Sequence, residues 1–204
     1  MKRVFIKTVL AAVALAAMGV ASAQDKTIKF ANQNAVGHPI VQGMEKFKEI
    51  VEKQSGGKIK VNVFPGGALG SDQANVSAIQ GGTLEMAAMN SGIFASQVKD
   101  FAVFDFPFMF ASGKEADVVV DGAFGKKMHS KLEEKGLVGL GYYELGFRHM
   151  SNSKRAINKV SDIDGLKLRV IPNPINVDWV KALGANPTPL PFPELYAALE
   201  QKAV

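Results

Sequence analysis

Apolar and polar residues alternate along this chain with two different periods. Leu166, Leu168 and Val170 trade places with Lys167 and Arg169, the period-2 pattern of a half-buried strand. Pro172-Asn173-Pro174 ends that strand, because two prolines cannot extend a ladder. Ile59, Val61 and Val63 alternate in the same way before Pro65-Gly66-Gly67, and residues 27–31 read as a first strand. From Pro39 onward the period changes. Ile40, Val41, Met44, Phe47, Ile50 and Val51 recur at helical spacing, with Glu45, Lys48, Glu49 and Lys53 on the opposite face, until Gly56-Gly57 stops the helix. Ser71 or Asp72 can N-cap a second helix carrying Val76 and Ile79, which Gly81-Gly82 ends.

The remaining segments continue the alternation. Residues 84–89 (LEMAAM) predict a short apolar strand, and FAVFDFPFMF packs its phenylalanines around Asp105 and Pro107 and reads as core. A helix is expected over residues 115–134, a buried strand in GLVGLGYYE, and the start of a crossing strand at residues 147–150. SDIDG is a turn, residues 176–183 are a helix with Trp179 in the core, a short strand ends at residues 189–191, and the last helix covers residues 193–201. Alternating strands and helices define an α/β fold with mainly parallel sheets. In such sheets ligands settle outside the carboxyl ends of the strands. The polar residues there are Gln33, between Asn32 and Asn34, then Ser71-Asp72, Asn90-Ser91, Arg148, Arg169 and Asn173, with His38 and His149 near the mouth.

The first residues change the picture of charge and location. Lys2, Arg3 and Lys7 precede an apolar run from Thr8 to Val20, and Ala21-Ser22-Ala23 fits a small-x-small cleavage site, so residues 1–23 read as a secretory signal peptide. Its three basic residues account for three of the five net positive charges, leaving +2 on a chain from Gln24 onward. No basic block remains that would track a phosphate backbone, so nucleic acid is not an expected partner. No later segment approaches membrane-spanning length. Cysteine is absent, so core packing and not disulfides must hold a secreted fold together. The chain stops in PFPELYAALEQKAV, midway through a helical pattern, and reads as part of a longer protein whose C-terminal portion is missing.

Motifs for catalysis are not found. Gly122-x-x-Gly125-Lys126 has the wrong spacing for a phosphate loop, and GLVGLG is not a dinucleotide fingerprint. His38, His129 and His149 share no metal-ligand spacing, and Ser71 in LGSDQ lacks the nucleophile-elbow pattern. No metal, cofactor or enzymatic activity is therefore expected. Position 169 remains open on pattern alone: a strand arginine can decorate a solvated face or hold an anion, and Phe192, Asn90 and Asn173 would ordinarily be core and turn residues.

GGKIKVNVFPGGALGSDQ, FDFPFMF, GFRHMSNSKRAINKVSDIDGLKLRV and GANPTPLPFPELYAALEQKAV, in that order, resemble the solute-binding proteins of the tripartite ATP-independent periplasmic (TRAP) transporters, the DctP-like family. The resemblance covers essentially all of the chain after the signal peptide. It implies a two-lobed periplasmic binding protein, a monomer without cofactor, that captures an organic acid and delivers it to the membrane subunits of a TRAP permease. Residues 24–147 would form the first lobe and residues 148–204 the start of the second. The strand arginine of the family's GLKLRV motif, which grips the ligand carboxylate with two prongs, matches Arg169. The family's G-x-R arginine matches Arg148, its post-strand asparagine Asn173, and its aromatic before ELYAAL Phe192. Asn90 stands where some relatives carry an acidic residue, which speaks against sialic acid. Asparagines suit hydroxyl-rich ligands because they both donate and accept. The expected ligand is therefore a sugar acid such as a hexuronate, or a dicarboxylate. A binding protein serving a sensor kinase and a secreted α/β enzyme are the alternatives.

Overall fold

The computed structural model of the protein describes residues 26–204, so the signal-peptide reading of residues 1–23 lies outside the described residues. Among the described residues, two parallel sheets organise the fold. In the first, β1 (Lys26–Ala31) lies between β2 (Ile59–Phe64) and β3 (Met86–Ala87). In the second, β4 (Lys167–Val170) pairs with β5 (Asn186–Pro189), with Arg169 opposite Thr188. Parallel neighbours need a crossover, and helices supply each one. α1 (Pro39–Gln54) joins β1 to β2, α2 (Asp72–Gln80) joins β2 to β3, and later in the chain α5 (Pro174–Ala182) joins β4 to β5, after α3 (Gly113–Asp121) and α4 (Ala123–Glu133). α6 spans Leu195–Glu200.

The local signals act as their chemistry requires. Ser71 is the N-cap of α2, its hydroxyl accepting from the Ala74 N–H at 3.3 Å. Pro174 occupies the first turn of α5, where its missing N–H costs nothing. Phe30, Ile40, Val41, Met44 and Val61 form the core between the first sheet and α1, with Phe30 and Phe47 edge to face at 5.5 Å. Leu166, Leu168, Val170 and Val180 form a separate core beneath β4 and α5. Trp179 packs against it and donates its Nε1–H to Asn176 Oδ1 at 3.1 Å, in keeping with the core reading.

Four expectations are corrected. The strand expected over residues 84–89 is two residues long, Met86–Ala87. The helix expected over residues 115–134 is two helices, α3 (Gly113–Asp121) and α4 (Ala123–Glu133), broken where Gly122 takes an extended ψ of −163°. The chain turns so tightly there that a Cβ on Gly125 would lie 1.6 Å from the Val120 carbonyl oxygen. FAVFDFPFMF is core only in its first half: Phe101 and Asp105 are buried, whereas Phe106, Phe108 and Met109 are exposed. Finally, neither GLVGLGYYE nor residues 147–150 forms a strand. Leu137 is buried, but Val138, Leu140, Tyr143, Leu145 and Phe147 are exposed. A strand requires a partner's N–H and C=O groups as well as a suitable pattern, and among the described residues none lies beside this segment. Among the described residues, no helix is long and apolar enough to cross a membrane.

Candidate functional site

The loops leaving the carboxyl ends of the strands are tied to one another by short-range polar contacts. Buried Asn32, just past β1, donates Nδ2–H to the Ala88 carbonyl at 2.7 Å and accepts from the Asn34 N–H at 2.8 Å. The carbonyls of Asn34 and Asn32 accept from Gly66 and Gly67 at 2.7 and 3.0 Å, which draws the loop after β2 alongside. Gly67, at φ +72°, approaches so closely that a Cβ there would sit 2.6 Å from Pro193 Cγ. The first sheet's loops thus reach the segment carrying Phe192.

Arg169 is central to this arrangement. It is half-buried on β4, its Nε–H donates to the Leu190 carbonyl at 3.0 Å, and its guanidinium carbon lies 5.8 Å from the Phe192 ring centroid, within cation–π range. Among the described residues its terminal nitrogens have no hydrogen-bond acceptor. Burial lowers its pKa from the usual arginine value; the nearby positive charge of Arg148 adds to this and the negative charge of Asp72 opposes it. Asp72, the first residue of α2, is buried. Its Oδ2 accepts from the Asn90 N–H at 3.2 Å, while its Oδ1 has no partner among the described residues. Burial raises its pKa to about 6, against the opposing pull of the Asn90 N–H and of Arg169.

A second set of contacts adjoins the first. Asp105 is 4% exposed, and its two oxygens are divided. Oδ1 accepts from Arg148 Nη1 at 2.6 Å, and Oδ2 accepts from Asn173 Nδ2 at 2.7 Å. Asn173 is also the N-cap of α5, its Oδ1 accepting from the Asn176 N–H at 2.9 Å. Asn90 caps the 3-10 segment Ser91–Ser96 through the Gly92 N–H at 3.0 Å.

The structure therefore brings Arg169, Phe192, Asp72, Asn90, Arg148 and Asn173 into one connected neighbourhood. Two of the expected residues make no direct contact with it among the described residues. Gln33 lies partly buried in the loop after β1, and His38 is the N-cap of α1, its Nδ1 accepting from the Ile40 N–H at 3.2 Å. A concavity beside α1, lined by Val36, Gly37, Gln42, Glu45, Lys46 and Pro65, includes none of the residues of that neighbourhood. Sequence reasoning missed Asp105, which it assigned to the core. The available signal was a lone carboxylate among phenylalanines, since a buried charge must find partners. It could not foresee the Leu190 carbonyl, because a backbone acceptor carries no side-chain signature.

Helices alternating with parallel strands in two sheets are the architecture of a two-lobed solute-binding protein, and solved structures of that class share this fold. The chain belongs to the bacterial extracellular solute-binding proteins, family 7 (DctP), whose pattern matches residues 30–204. A TRAP periplasmic solute-binding protein from Ochrobactrum anthropi, with its C-terminus bound in the ligand-binding pocket, is 52% identical with a TM-score of 0.76, over 88% of this chain and 56% of that one. The sugar acid binding protein DctPAm from Advenella mimigardefordensis, in complex with galactonate, is 44% identical with a TM-score of 0.86, over 87% of this chain and 57% of that one. The 2,3-diketo-L-gulonate-binding periplasmic protein YiaO of Escherichia coli is 33% identical over 190 residues, 93% of this chain and 58% of YiaO. The chain spans about half the length of the first curated relatives it matches, 49% and 48% of theirs.

Proposed function

We propose that this protein is a periplasmic solute receptor that captures an organic acid and hands it to the membrane subunits of a TRAP permease, acting as a monomer and performing no chemistry on its ligand. Residues 24–147 belong to one lobe and residues 148–204 to the other. Arg169 grips the ligand carboxylate, Arg148 adds a second positive charge, and Phe192 forms a shelf beside the acid. Asp72, Asn90 and Asn173 take up the ligand's hydroxyls, while Gln33 and His38 reach it from the rim. The ligand is a sugar acid, as for the galactonate-bound relative and YiaO, or a dicarboxylate.

The observation that carries this reading is the state of Arg169: half-buried, oriented by the Leu190 carbonyl and Phe192, and with its terminal nitrogens lacking an acceptor among the described residues. A guanidinium is a planar fork that matches both oxygens of a carboxylate and remains charged at any periplasmic pH. A half-buried guanidinium whose terminal nitrogens lack a paired acceptor is unfavourable, so an incoming carboxylate gains differential affinity for the form of the protein that surrounds it. Titration calorimetry with galactonate, galacturonate and succinate tests the proposal. Binding of at least one acid, strongly weakened by Arg169→Ala, is expected. Unchanged binding by that variant would remove Arg169 from the site.

A further inference from the structure

Asp105 is a buried carboxylate whose oxygens divide cleanly between one cation and one amide. The space around it is made to measure: a Cβ on Gly92 would lie 1.6 Å from Asp105 Oδ2 and 2.7 Å from Asn173 Nδ2, so that only glycine leaves room for the carboxylate. Arg148, by contrast, keeps 44% of its side chain exposed, so the carboxylate is the fixed member of the pair and the arginine is the member held in place.

The charges of the neighbourhood can then be weighed. Arg148 lies close enough to Arg169 to disfavour the charge of Arg169. Asp105 offsets Arg148 by direct contact, and Asp72 acts on Arg169 from the start of α2. One acid group can be met by the free fork of Arg169. A second would have to displace Asp105 from Arg148 or stand beside Asp72 with no cation of its own, and a desolvated unpaired charge is heavily disfavoured. The buried acceptors Asp72 Oδ1 and Asn75 Oδ1, one helical turn apart on α2, have no partner among the described residues, and hydroxyl donors would satisfy them.

We propose that Asp105 is a specificity-determining residue: by occupying Arg148 it limits the site to a single ligand carboxylate and selects polyhydroxy monocarboxylic acids over short dicarboxylic acids. This rests on the receptor reading above. Calorimetry of the purified protein and of Asp105→Asn, each with galactonate and with succinate, tests it. The wild-type protein is expected to prefer galactonate, and the asparagine variant, nearly equal in shape but leaving Arg148 unpaired, narrows the ratio of the two affinities by about tenfold or more through a gain for succinate. A purely structural role for Asp105 would weaken both ligands by the same factor. An unchanged ratio, or a wild-type protein that already prefers succinate, overturns the inference, and the second result decides even if the variant fails to fold. Failure of the receptor reading looks different, since neither acid would then bind the wild-type protein at all.

Discussion

The Nε–H of Arg169 donates to the carbonyl oxygen of Leu190, 21 residues further along the chain, at 3.0 Å. This bond runs from one parallel strand to the end of its neighbour, so the sheet itself aims the guanidinium. Preorganisation of this kind removes part of the ordering cost of binding. Arg169→Ala is expected to weaken the best acid by about 2–5 kcal/mol. Arg169→Lys keeps a charge but loses both the fork and the Nε donor, and about a tenfold loss or more is expected. Isothermal titration of both variants checks the order.

Phe192 presents its ring to the same guanidinium at 5.8 Å. Replacing it by leucine preserves an apolar contact and removes the ring quadrupole. A loss of about 0.5–1 kcal/mol in ligand affinity is expected, with Phe192→Tyr close to wild type. Equal affinities for the leucine and tyrosine variants would show that the ring face contributes nothing.

Gly92→Ala would drive a methyl group into Asp105 Oδ2, 1.6 Å from the ideal Cβ position, while Arg148 and Asn173 hold that carboxylate from its other sides. Destabilisation of about 3 kcal/mol or more is expected, since relief requires breaking a buried ion pair. Gly141→Ala, whose Cβ meets nothing within 4 Å, should stay within about 0.5 kcal/mol of wild type. Urea denaturation of the two variants provides the comparison.

Asp72 makes stability depend on pH in the less familiar direction. Burial raises its pKa from 3.8 to about 6, so the folded protein binds this proton more tightly than the unfolded chain does. Its contribution is fully present below pH 3.8 and is lost as pH rises through about 6. The loss amounts to roughly 3 kcal/mol. Asp72→Asn should therefore gain stability relative to wild type across that interval and run parallel to it above. A constant difference between the two denaturation curves from pH 4 to pH 7 would contradict the assignment.

The elements most legible in the sequence are those whose causes are local. The helical spacing of Ile40, Met44, Phe47 and Val51, the alternation of Ile59, Val61 and Val63, and the alternation around Arg169 each become the element they predict. Periodicity fails where an element depends on a neighbour. Residues 136–144 carry a strand-like apolar pattern but have no partner strand beside them among the described residues, and FAVFDFPFMF turns its second half outward because Phe106 and Phe108 face no packing surface.

The chain by itself determined the α/β alternation, the glycines and prolines that end its elements, and an arginine on a strand next to a proline-bounded turn, because these follow from side-chain chemistry within a few residues. Only the tertiary structure decided that Asp105 meets Arg148 across 43 residues and Asn173 across 68, and that Arg169 rests against Phe192. The physical reason is that burial and Coulomb attraction act through space. Which charge meets which partner is set by the packing of sheets and helices, and no spacing along the backbone encodes it.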